Sequence, residues 1–118
     1  EESISSSYSF KGETILMGAA MLDGKPVTAA KVFLPLKTMN RHGLIAGATG
    51  TGKTKTLQLI AEGLSNASVP VMMMDIKGDL SGIGAQGVLN DRITERCMHI
   101  GVEYRPDVSP IEFLSISN

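Results

Sequence analysis

Residues 47–54 read Gly-Ala-Thr-Gly-Thr-Gly-Lys-Thr, a complete G-x-x-x-x-G-K-[ST] pattern. Each part of it has its own task on a nucleotide triphosphate. Gly47, Gly50 and Gly52 let the backbone bend until its N–H groups point inward and the chain comes close to the phosphates. The small Ala48, Thr49 and Thr51 complete that cradle. Lys53 supplies a compact positive charge for the β- and γ-phosphates, and Thr54 a hydroxyl for the Mg²⁺ that bridges them. A helix starting at this point adds its unsatisfied N–H groups and positive dipole end. The expectation is a site for ATP or GTP.

So short a pattern means something only between a strand and a helix. Gly43-Leu44-Ile45-Ala46 is an apolar run that ends directly in the loop, as a buried parallel strand would. Beyond the loop, Leu57, Ile60, Ala61 and Leu64 recur at the spacing of one helix face, which Leu59 widens. The Ser65–Ser68 stretch and Pro70 end that helix. A second apolar run, Val71-Met72-Met73-Met74, stops at Asp75. The expected unit is strand, loop, helix, strand, with a right-handed crossover in a parallel sheet.

A dinucleotide fold is the rival. Gly47-Ala48-Thr49-Gly50 also opens nicotinamide-binding loops, and Asp75 lies 28 residues beyond Gly47. Such folds place a ribose-binding carboxylate after the second strand, about 20 residues on. They want a small residue near position 53, however, so that helix and strand pack closely. Lys53 followed by Thr54 fits phosphate and metal better. Asp75 has two readings of its own. It is a candidate second Mg²⁺ ligand, or it is a strand-end carboxylate accepting backbone hydrogen bonds in the Lys77-Gly78 turn. Asp79 is a candidate cap for a short helix starting at Leu80.

Composition narrows the class. The 118 residues are 42% hydrophobic, enough for one domain's core, with seven Met, no Trp and a formal charge of −1. That balance carries no signature of nucleic-acid or membrane binding. From Gly24 to Ala61 there are six Lys or Arg residues and no acid. Lys25, Lys31, Lys37 and Arg41 read first as solvated positions whose field favours a polyphosphate. Arg41 and His42 would stand a strand length from the phosphates. A single Cys97 excludes an internal disulfide and reads as a packing residue; with His99 it lacks the spacing of a zinc site. Arg105, beside Pro106, reads as a turn residue. The longest apolar run, Ile15–Leu22, is too short to span a bilayer. Glu1 and Glu2 are unlike a secretory start, so cytoplasm is the default. A chain without an initiating Met reads as a piece of a longer protein.

Along the chain we expect a loose arm over 1–12, a β-hairpin region over 13–37, and a P-loop nucleotide-binding region over 38–118. The hairpin joins Thr14–Leu22 to Lys31–Leu36 through Asp23-Gly24-Lys25-Pro26, since Asp-Gly is a hairpin-turn signal. A helix would also accept the composition of Thr14–Leu22. A Gly-rich stretch follows Asp75, then a helix over Val88–Met98 with Asp91, Arg92, Glu95 and Arg96 outward. Pro106 and Pro110 mark a turn before a last strand at Ile111–Ile116. The fold class expected is α/β, a parallel P-loop sheet preceded by a short β-hairpin.

The run from Pro35 to Ala46, the loop, Lys55-Thr56-Leu57-Gln58, and the stretch Asp75-Ile76-Lys77-Gly78-Asp79-Leu80-Ser81-Gly82 together resemble bacterial HerA-like ATPases, relatives of the HerA and FtsK DNA translocases. The likeness runs from about Thr14 to the end and is most specific around the loop. It implies that 38–118 is the N-terminal part of a P-loop ATPase domain, a partial RecA-like parallel sheet, with Mg²⁺-dependent ATP hydrolysis, assembly into a ring (commonly a hexamer) and movement of a polymer such as DNA. Adenine rather than guanine follows from this likeness and not from base-reading residues; Lys77-Gly78-Asp79 lacks the Asn of a guanine-reading Asn-Lys-x-Asp, since Ile76 stands there, and it lies too close to the loop. The family's Walker B strand, an apolar run ending in Asp-Glu, does not occur in these residues, and no arginine finger is identifiable. The expectation is therefore binding of ATP with poor hydrolysis by this segment alone. The alternatives are a nucleotide-binding assembly module without catalysis and, behind it, a nicotinamide-dependent enzyme.

Overall fold

The computed structural model describes residues 6–115. Residues 1–5 of the expected arm and Ile116 of the expected last strand lie outside them. Two strands open the chain, β1 at Thr14–Leu22 and β2 at Lys25–Pro35, paired antiparallel. Asp23 and Gly24 connect them with φ of 50° and 76°. Positive φ at both central residues is the backbone of a type I′ turn, whose twist matches that of the strands it joins. The turn is so tight that the ladder resumes at once, with Leu22 opposite Lys25. The second strand thus begins at Lys25 rather than at the expected Lys31, and Pro26 is accommodated within it opposite Met21. In a two-stranded sheet every strand is an edge, so a missing N–H is tolerated. Gly18, at φ +148°, sits at the first of two register irregularities.

A single 3-10 turn at Leu36–Thr38 leads away from the hairpin, held by the Leu36 N–H donating to Glu13 O at 3.1 Å. Helix α1 spans Lys53–Asn66, as the apolar spacing predicts. It lies on β1, where Gly63 faces the buried Ile15. A β-carbon on Gly63 would stand 2.5 Å from Ile15 Cγ2, so the absence of a side chain is what allows helix and strand to meet.

Helix α2 spans Asp91–Ile100 and starts three residues later than expected. Asn90 explains the shift, since its side chain accepts from the Ile93 N–H at 2.9 Å and so caps the helix. The helix ends in a Schellman motif, with Gly101 at φ +67° and the Gly101 and Val102 N–H groups donating to Met98 O and Cys97 O. Asp91, Arg92, Glu95 and Arg96 are exposed, as expected, and Ile93, Cys97 and Ile100 form the half-buried side. The α2 terminus is fastened to β2. Thr28 Oγ1 donates to His99 O at 3.0 Å, and Lys31 Nζ donates to Gly101 O at 2.9 Å. Lys31 is therefore a partner for the negative end of a helix, not the solvated position that its sequence context implied.

The expected parallel sheet is the main difference. Among the described residues β1 and β2 form the only sheet, and neither Gly43–Ala46, Val71–Met74 nor Ile111–Ser115 is a strand. The reason is exposure. Parallel strands are stable when covered on both faces, yet Leu44, Met72, Met74 and Ile76 are 80–95% exposed. With so little apolar surface covered there is little to offset the entropy of fixing those backbones. Val71–Met74 still runs along the apolar face of α1, and the two form a groove lined by Leu57, Ile60, Leu64 and Met73.

Candidate phosphate-binding site

The eight residues of the motif form one continuous turn into α1. Gly47–Gly52 are exposed, Lys53 is the first helical residue, and Lys53 and Thr54 are half-buried. The loop closes on a single carbonyl. Ala48 O accepts from the Thr51 N–H at 3.4 Å, from Thr51 Oγ1 at 2.8 Å and from Lys53 Nζ at 2.6 Å. Two glycines have the left-handed backbone that this closure needs, Gly50 at φ +81° and Gly52 at +92°. At Gly47 a β-carbon would stand 2.6 Å from Thr51 Oγ1, so a side chain there would push the Thr51 hydroxyl off Ala48 O.

The end of α1 is what the loop presents outward. Gly52 is its N-cap, and no side chain caps the helix. The first intrahelical bond runs from the Thr56 N–H to Gly52 O at 2.9 Å, so the N–H groups of Lys53, Thr54 and Lys55 precede any helical acceptor. A row of donors beside an ammonium fits an anionic oxygen cluster such as a polyphosphate.

A second segment reaches this end of the helix. Thr54 Oγ1 donates to Asp79 Oδ2 at 3.4 Å, and one turn further on Gln58 Nε2 donates to Asp79 O at 3.5 Å. Thr54 and Gln58 are four apart and share a helix face. Gln58 is buried and is itself braced by Lys55 Nζ, which donates to its Oε1 at 2.9 Å. Hydroxyl plus carboxylate is an oxygen donor set, the kind that suits Mg²⁺.

Asp75 occupies a different place. Its Oδ1 accepts from the Lys77 and Gly78 N–H groups at 3.2 and 2.8 Å, and its Oδ2 from the Leu80 N–H at 2.8 Å. These bonds, the one from Leu80 foremost, hold its carboxyl below the ordinary aspartate value of 3.8. Of the two readings the sequence left open for Asp75, this geometry is that of the turn-holding carboxylate. Its consequence lies in what the turn carries. The pinned N–H groups of Gly78 and Leu80 flank Asp79, and Leu80 is buried beside them. Asp79 does not cap the 3-10 turn at Ser81–Gly84, whose N-cap is Leu80 without a side-chain bond. No local pattern marks Asp79 as a neighbour of Thr54, because 25 residues and a helix separate them.

None of the remaining candidates hydrogen-bonds to the loop among the described residues. Arg41 and His42 are exposed on irregular backbone. Arg105 pairs with Glu103 at 2.9 Å, both well exposed, an arrangement that contributes little to stability. Cys97 is half-buried on the inward side of α2. No helix among the described residues is long and apolar enough to cross a membrane.

The family model for the helicase HerA-like C-terminal domain matches residues 21–118, from the end of β1 through the Gly47–Thr54 loop, both helices and the Asp79 turn. No curated protein and no solved structure matches. The matched span covers most of the chain and contains the whole Gly47–Thr54 loop, and the protein belongs to the helicase HerA-like C-terminal family.

Proposed function

We propose that this chain binds Mg-ATP at Gly47–Thr54 and serves as the nucleotide-binding part of a HerA-like ATPase. The observation that carries the proposal is the uncapped start of α1 directly behind a loop with left-handed Gly50 and Gly52 and with Lys53 at its mouth. The first-turn N–H groups hold the phosphate oxygens. Lys53 exchanges its bond to Ala48 O for the β- and γ-phosphates, a short movement of a flexible stem. Thr54 offers its hydroxyl oxygen to Mg²⁺, which when bound neutralises phosphate charge and stabilises the transition state of phosphoryl transfer. Hydrolysis also needs a group that orients the attacking water. These residues contain no apolar run ending in Asp-Glu, so binding with slow turnover is expected of the chain as it stands. In the whole protein we assign it to a ring-forming ATPase that moves a polymer, with DNA the first candidate.

A thermal-shift comparison of ATP, GTP and NAD, each with Mg²⁺, tests this reading. A ligand at 100 times its Kd stabilises the fold by about 2.7 kcal/mol, a shift of several degrees. ATP should raise the midpoint most. A shift with NAD and none with ATP would select the dinucleotide alternative.

A further inference from the structure

We infer that Asp79 is the acidic partner of the metal at this site, opposite Thr54, and that the Asp75 turn exists to hold it there. The inference rests on the Mg-ATP reading and assigns a residue that the motif does not contain. Asp79 Oδ2 lies 3.4 Å from Thr54 Oγ1, a loose contact for a hydroxyl and a carboxylate. Its main chain is fixed from both sides. Gln58, from the same helix face as Thr54, donates to its carbonyl. Asp75 gathers the N–H groups of the residues before and after it. Gly78, at φ +77° with open space where a side chain would be, supplies the bend that brings position 79 back toward the helix. The carboxylate itself is spent on none of these bonds. It is an exposed acid held at the one end of α1 where phosphate charge would gather.

Without a cation that placement is unfavourable for nucleotide, because a carboxylate near polyphosphate repels it. With Mg²⁺ it is favourable, since the ion takes one or two carboxylates together with phosphate oxygens and water. Asp79 therefore makes nucleotide binding depend on the metal. Asp75 is a positioning residue and touches neither ligand.

The test is calorimetric titration of a non-hydrolysable ATP analogue into wild type and Asp79→Asn, with Mg²⁺ and with EDTA. Asp79→Asn keeps the shape and removes the charge. Affinity with Mg²⁺ should fall about tenfold, the lower range for losing a carboxylate that supports a metal site. Affinity in EDTA should rise, because the repulsion is gone. Opposite signs in the two buffers are the signature. A purely structural Asp79 would lower both together, and that result overturns the inference, as does an unchanged Mg²⁺ enhancement. Wild type binding the analogue equally well with Mg²⁺ and EDTA would also overturn it while leaving the phosphate loop intact. Wild type failing to bind at all would remove the ATP reading and the inference with it. Asp75→Asn provides the second variant, and it should reduce the Mg²⁺ enhancement without the gain in EDTA.

Discussion

Substitution at Gly63 probes how the Gly47–Thr54 loop is held in place. Helix α1 begins with Lys53 and Thr54, and its seat on the hairpin is the contact of Gly63 with Ile15. In Gly63→Ala the new methyl would stand 2.5, 3.0 and 3.1 Å from Ile15 Cγ2, Cγ1 and Cδ1. Ile15 is 5% exposed and β-branched, so it has little freedom to turn away. Overpacking of this kind costs about 1–3 kcal/mol. Against it, Ala favours a helix over Gly by about 1 kcal/mol. The net expectation is a loss of about 1 kcal/mol for Ala and more for Val, which adds bulk at the same point. Urea unfolding followed by circular dichroism at 222 nm reads the difference. The decisive variant is Gly63→Ala in an Ile15→Ala background. The clash is then gone and only the propensity remains, so the same substitution should stabilise by about 1 kcal/mol. A change of sign between the two backgrounds is required. Equal stabilisation in both would mean that α1 does not rest on Ile15, and the placement of the loop against the hairpin would fall with it.

Two further outcomes follow from local geometry. The Asp75 carboxyl has a folded pKa below 3.8, so its support of the turn is complete above that ordinary value and is lost as pH falls through the lower folded one. In an NMR titration the Leu80 and Gly78 amide protons should shift together with the Asp75 carboxyl carbon at a midpoint below 3.8; a midpoint at or above it would contradict the turn. Gly101→Ala forces a side chain into the left-handed region at φ +67° and against Thr28 Cγ2. It should cost about 1–2 kcal/mol from the backbone alone, and a neutral change in the unfolding midpoint would deny the Schellman ending of α2.

Local chemistry was legible in the sequence where neighbours along the chain decide the outcome. Asp23-Gly24 announced the hairpin because a tight turn is governed by two backbone angles. Leu57, Ile60, Ala61 and Leu64 announced α1 because one face of a helix repeats within a few residues. Asn90 is a readable cap, and apolar spacing without it puts the start of α2 three residues early. The strands expected at 43–46, 71–74 and 111–116 depend instead on what lies across from them. An apolar run becomes a parallel strand only with neighbours on its edges and cover on both faces, and in the described residues the run at 71–74 has no strand beside it and only α1 along one side, with Met72 and Met74 80–84% exposed. Asp79 belongs to the same class. Its approach to Thr54 is made by a turn that Asp75 closes and a glutamine that α1 supplies, and no spacing rule contains that combination. The role of Lys31 is hidden for a related reason, as its partner is a carbonyl 70 residues away.

The central claim is that Gly47–Thr54 binds a metal-bound triphosphate. Isothermal titration of the chain with a non-hydrolysable ATP analogue in Mg²⁺, beside Lys53→Ala, tests it most directly. Lys53 touches Ala48 O and no core side chain among its hydrogen-bond partners, so the variant should keep the wild-type unfolding midpoint. The account predicts saturable binding by wild type and a loss of at least about tenfold, ~1.4 kcal/mol, in the variant. Equal affinity in the two proteins would contradict it.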